Sequence, residues 1–148
     1  MKTLVIGIGH PFRGDDAVGP AVAEAVAALT LPNVITLAHH GEGTDLMEHW
    51  QGYGRVILID ATRSGAAPGT IRQWDAASPL PAALFPKGSH VFGVAEAVEM
   101  ARLLDRLPAQ LTVIGVEGAD FTMGAGMAPA VAEAVAFVSA MIAGALEG

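Results

Sequence analysis

Cysteine is absent from the chain of 148 residues, and with it go a disulfide framework, a thiol nucleophile and any thiolate metal site. Aromatic residues are scarce, at 5% against 52% apolar, so the core must be assembled from Ala, Val, Leu and Ile, which suits helices packed closely on a sheet. Positive charge is also short. Eight Lys and Arg against fifteen Asp and Glu leave a net charge of −7, which excludes the clustered basic surface that a nucleic-acid partner requires. Long apolar runs are missing too: the longest, Ala134 to Leu146, falls below the roughly 18 residues that span a bilayer. The run that follows Met1-Lys2 ends at Gly7, too soon for a secretory leader. These absences predict a soluble, cytoplasmic protein with no membrane partner. The length fits one domain over residues 1–148, expected to act as a monomer.

What is present alternates between strand and helix signals. Thr3 to Ile8 reads as a buried strand. Asp16 stands where a helix N-cap would be, ahead of Val18, Val22, Val26 and Leu29 on one helical face. Val34 to Leu37 predicts a second strand, Thr44 the cap of a short helix through Trp50, and Arg55 to Ile59 a third strand ending at Asp60. Thr70 to Trp74 predicts a strand that no helix separates from the third, so it is expected to be antiparallel. After a Pro-rich loop, Gly88-Ser89-His90 leads into a helix expected from Val91 to Arg106, and Leu111 to Val116 predicts the fifth strand. Pro129 opens a closing helix with Val131, Val135, Val138 and Ile142 as its apolar stripe. The expected fold is α/β, a three-layer α/β/α domain. Its five-stranded sheet is mostly parallel with one antiparallel strand, and helices cover both faces.

In open sheets of this kind the second strand lies on one side of the first and the third on the other, and ligands bind beyond the strand ends at that switch point. The residues just past those ends are Gly14-Asp15-Asp16 and Asp60. An Asp after a strand often does no more than cap a helix or turn. Two carboxylates facing one cleft, however, repel each other unless a proton or cation intervenes. His90, at a helix start after the Pro-rich loop, is placed to reach over the strand ends. Asp16, Asp60 and His90 together offer oxygen and nitrogen ligands suited to a divalent ion such as Ni²⁺ or Zn²⁺, and the sequence leaves the choice open. His10 is a candidate for the binding surface. His39, His40 and His49, around Glu42 and Asp45, are read as solvated loop residues, with a second metal site as the alternative.

The stretch Gly7-Ile8-Gly9-His10-Pro11-Phe12-Arg13-Gly14-Asp15-Asp16-Ala17-Val18-Gly19 closely resembles the N-terminal signature of the hydrogenase maturation peptidases. Gly43-Thr44, Val56-Ile57-Leu58-Ile59-Asp60-Ala61, Ser89-His90 and Ile114-Gly115-Val116-Glu117 also resemble family features, in the family order. The resemblance implies an endopeptidase that removes the C-terminal extension of a [NiFe]-hydrogenase large-subunit precursor. It implies Asp16, Asp60 and His90 as the metal contacts, with nickel carried by the substrate as the recognition element. The family commonly has Asn where this chain has His10, and Pro where it has Ser89. No Ser, Thr or Cys nucleophile with a matched base is recognisable, so water is the expected attacking group, with Asp16 or Asp60 as its base.

Three other readings remain beside this one. A dinucleotide-binding enzyme is disfavoured because Phe12 stands where the third glycine of the fingerprint belongs, and Asp15-Asp16 would repel a pyrophosphate. A zinc peptidase that keeps its own metal is consistent with the three ligands, although no His-Glu-x-x-His occurs. A nickel-binding chaperone, or a family member without activity, fits the same ligand set.

Overall fold

A computed structural model describes residues 1–86, 90 and 92–147. Ser89 and Val91, two of the residues around which the third long helix was expected to begin, lie outside the described residues. The sheet runs β1 (Thr3–Ile8), β2 (Val34–His39), β3 (Arg55–Thr62), β4 (Ile71–Asp75) and β5 (Gln110–Glu117) in chain order. In space the order is β2-β1-β3-β5-β4, with β4 alone antiparallel, against β5. The helices are α1 (Val18–Ala28), α2 (Gly43–Trp50), α3 (Val94–Leu103) and α4 (Pro129–Glu147). The expected α/β architecture is therefore the observed one.

Strand side chains alternate between faces, and the alternation divides the core into two. Leu4, Ile6 and Ile8 of β1 and Val56 and Leu58 of β3 pack with Leu46 and Trp50 of α2 and Val94 and Val98 of α3. Val5, Ile57 and Ile59 point the other way, against Val18, Val22 and Val26 of α1 and Val131, Val138 and Ile142 of α4. Alternating apolar positions that are buried on both sides of the same strand make those strands read as unbroken apolar runs.

Four local expectations need correction. Leu29 lies past the end of α1 and is 46% exposed, so the buried stripe stops at Val26. Thr44 does not cap α2: the Glu42 carboxylate accepts from the Thr44 and Asp45 amides, satisfying donors that the first helical turn leaves free. The third long helix starts at Val94, where Glu96 reaches back to the Gly93 amide. It ends at Leu103, ahead of Asp105, whose φ is 55°. Finally, α4 is long and apolar enough by length and composition to cross a membrane, because the helix begins five residues ahead of the run counted above. One face of it is buried against α1 and the sheet.

Gly7 and Gly19 determine how closely α1 approaches β1. A Cβ on Gly7 would lie 2.0 Å from the Gly19 carbonyl oxygen, and one on Gly19 would lie 2.2 Å from that of Ile8. Strand and helix thus meet backbone to backbone. Gly7→Ala must push α1 off the sheet, so it is expected to cost about 1–3 kcal/mol or more, measured as a drop in the urea midpoint; an unchanged midpoint would show that the helix yields freely.

Candidate active site

The predicted switch point exists: β1 and β3 are neighbours, and β2 lies on the far side of β1. Beyond their ends opens a cleft of about 610 Å³ whose lining includes His10, Asp16, His40, Asp60 and His90. The three residues singled out from the sequence therefore share one cavity, although they come from three separate segments.

Asp16 reaches the cleft by a different local structure from the one expected. It lies within a short 3₁₀ turn, Gly14–Ala17, and caps nothing; the N-cap position of α1 is Ala17, without a side-chain bond. The turn folds back over the end of β1 because Gly9 adopts φ 144°, where a Cβ would fall 2.0 Å from the Asp16 carbonyl oxygen. In that fold the His10 amide donates to Asp16 Oδ2 at 2.7 Å. Among the described residues no hydrogen bond engages Oδ1, which leaves it for a ligand.

Asp60 belongs to β3, which continues past it to Thr62. It is 4% exposed, and its Oδ1 accepts from the Ala61 amide at 2.8 Å. Burial, and after it the negative charge of Asp16, pushes its carboxyl well above the ordinary carboxylate range. Burial raises Asp16 as well, against the His10 amide and the positive charge of Arg13, which act to lower it. Two carboxylates so placed resist ionising together, a cost that a proton on one of them or a nearby cation relieves. His90 is half-buried on the cleft wall, with its ring 5.3 Å from that of His40.

The other histidines divide. His10 and His40 line the cleft. His39 is not a solvated loop residue: it ends β2, is 6% exposed, and is held by the Gly41 amide on Nδ1 at 2.8 Å and by Asp45 on Nε2 at 2.6 Å. His49 approaches the same Asp45 oxygen at 3.3 Å. Burial lowers the pKa of His39, and the hydrogen bond from His39 lowers that of Asp45.

Sequence reasoning grouped Asp15 with Asp16, yet Asp15 turns away from the cleft. It is fully buried and accepts from the amides of Ala119, Asp120 and Ala128, fastening the β5–α4 loop beneath the β1 loop. Glu117 acts similarly at the end of β5, where Thr62, Ser64 and Gly65 donate to it. Arg13 and Arg63 also line the cleft, with Arg63 lying 4.4 Å over the Phe121 ring. An Arg just after a strand was the available signal for Arg63, but nothing in the sequence distinguishes it from a solvated one.

Comparison with known proteins identifies the family. The hydrogenase maturation protease family, HycI, matches residues 20–145. The chain belongs to the hydrogenase maturation protease family. It is 30% identical over 154 aligned positions to the hydrogenase 2 maturation protease of Escherichia coli, taking in 99% of this chain and 87% of that protein. Among solved structures, the hydrogenase maturating endopeptidase HybD of Escherichia coli superposes with a TM-score of 0.84 at 24% identity, over 99% of this chain and 93% of that one. A hydrogenase maturation protease of Thermococcus kodakarensis superposes with a TM-score of 0.75 at 22% identity, over 99% and 93%. At such identities these structural likenesses establish the fold alone. Membership of the hydrogenase maturation protease family makes the chain a peptidase by descent, and its cleft gathers Asp16, Asp60, His10, His40 and His90.

Proposed function

We propose that this protein is the endopeptidase that removes the C-terminal extension from a nickel-loaded precursor of a [NiFe]-hydrogenase large subunit. In this reading Asp16, Asp60 and His90 contact the nickel that the substrate carries. The observation that carries it is the pair of buried Asp60 and half-buried Asp16, each with its pKa raised, open to one cleft beside an imidazole. An isolated chain pays a desolvation and repulsion cost there, and a divalent cation delivered by the substrate reverses it. Two carboxylates and one imidazole suit nickel as partial ligands. Without a thiolate they hold the ion less tightly than a site that also has Cys, so the substrate's own ligands keep the ion.

Hydrolysis then needs a water at the scissile carbonyl. The ionised member of the carboxylate pair takes the water's proton as its oxygen bonds to the carbonyl carbon, the C–N bond breaks, and that proton passes to the departing amine. Recognition through the metal makes the protein selective for one folded precursor rather than a general protease. The test is a cleavage assay on paired precursors, followed by mass measurement of the released tail. Nickel-loaded precursor should be processed and metal-free precursor left intact; cleavage of both at comparable rates would refute recognition through nickel.

A further inference from the structure

The notable feature of the cleft beyond those three residues is a second imidazole. His40 follows β2, is exposed, and lines the same cavity as Asp16, Asp60 and His90. Its ring centroid lies 5.3 Å from that of His90, with the planes 31° apart. Two imidazoles that bind one ion at about 2.0–2.1 Å each place their ring centroids about 4.5–5.5 Å apart. The observed separation falls within that interval.

We propose that His40 is a fourth contact for the divalent ion in this cleft, so that two carboxylates and two imidazoles close around it. The inference rests on the reading of Asp16, Asp60 and His90 given under Proposed function and adds a ligand to it. His40 is free to serve at small cost. Its one hydrogen bond among the described residues is from the Glu42 amide to Nδ1, at 3.3 Å, close to the long limit for such bonds. Ligation through Nε2 puts the ring proton on Nδ1 and gives up only that bond. The segment bearing His90 is also tied to the helix after His40, because the Gly43 amide donates to the Phe92 carbonyl at 2.8 Å and a Cβ on Gly43 would strike the Phe92 ring.

Among the described residues the neighbouring group of His39, Asp45 and His49 is the one whose ligand atoms already lie within 4.8 Å of one another, whereas the cleft residues must turn inwards to meet an ion, but that group is less able to take one. The Gly41 amide occupies Nδ1 of His39 at 2.8 Å, so the ring proton sits on Nε2 and is shared with Asp45 at 2.6 Å. An ion at that nitrogen would have to displace the proton while the other nitrogen still faces a donor. His39 and Asp45 instead anchor the turn that presents His40.

A four-ligand site takes up an ion in the absence of substrate, which allows a test that does not depend on cleavage. Ni²⁺ is titrated calorimetrically into the free full-length protein, and Co²⁺ is added in parallel to read coordination from its visible absorption. The wild type is compared with His40→Ala, His90→Ala, Asp60→Asn and Asp45→Asn, with circular dichroism as the folding control. His40→Ala should weaken Ni²⁺ binding by at least about tenfold, the scale on which even outer-shell partners of a metal act, and should alter the Co²⁺ bands, while Asp45→Asn, whose amide oxygen still accepts from His39 and so keeps the turn in place, leaves both as in the wild type. If His90→Ala and Asp60→Asn weaken binding but His40→Ala does not, the fourth contact is wrong and the three-residue site stands. If His90→Ala and Asp60→Asn both bind as the wild type does, the three-residue site falls and this inference with it. Loss of binding in Asp45→Asn with His40→Ala unaffected places the ion at the neighbouring group and also overturns the proposal, as does a wild type that takes up no ion.

Discussion

Asp60→Asn should lower processing of a nickel-loaded precursor by about 100-fold or more, the scale of a lost base or charge contact, and should raise the thermal midpoint of the free protein at neutral pH. Asn keeps the shape and still offers an oxygen to the Ala61 amide, so the fold has no reason to suffer. What disappears is a carboxyl group that burial and the neighbouring Asp16 charge hold well above its ordinary range. The direction with pH follows. A carboxyl whose folded pKa exceeds its unfolded one favours the native state fully only below the unfolded value of about 3.9. That advantage is lost as the pH rises through the folded value, because the unfolded chain ionises first. Wild type and Asn variant should therefore unfold at similar temperatures near pH 3, and the gap in favour of the variant should open as the pH rises towards 7. If the site receives a cation, as proposed, function is held there at a cost to stability. Normal processing by Asp60→Asn would remove this residue from the site, and equal midpoints across the pH range would show that its burial costs nothing.

Asp15→Ala should have the largest effect on folding. Removing the carboxylate strands three part-buried amides, those of Ala119, Asp120 and Ala128, and leaves a void where a fully buried side chain stood; a fully buried donor without a partner costs about 1–3 kcal/mol, and these cost up to that. The total is a large share of the roughly 5–15 kcal/mol that holds a domain together. The variant should unfold at a much lower urea concentration or fail to fold, and Asp15→Asn, which retains one acceptor oxygen, should fall between it and the wild type. A wild-type urea midpoint in Asp15→Ala would mean that the loop supplies other partners. The adjacent Asp16 offers the contrast: half-buried and facing the cleft, it should affect processing far more than stability.

That contrast shows how much the chain disclosed before its structure was known. The β1 and β3 runs, the valine spacing of α1 and the closing helix after Pro129 were all legible, because a buried strand or helix face requires apolar residues at a fixed period, and the period is a property of the sequence. The switch point between β1 and β3 followed in turn, since right-handed crossovers leave few topologies, and with it the convergence of Asp16, Asp60 and His90 on one cleft. The division of labour between Asp15 and Asp16 was not legible. Neighbouring residues of the same type differ only in which way a turn rotates them, and Gly9 at φ 144° together with the backbone amides of a loop a hundred residues away decides that. The same holds for Glu42 displacing Thr44 as a cap, for His39 buried against Asp45, and for His40 beside His90. Periodicity and topology, which are local or statistical, were determined by the sequence itself; which oxygen or imidazole faces the cleft depended on contacts between distant segments, and those exist only once the chain has folded.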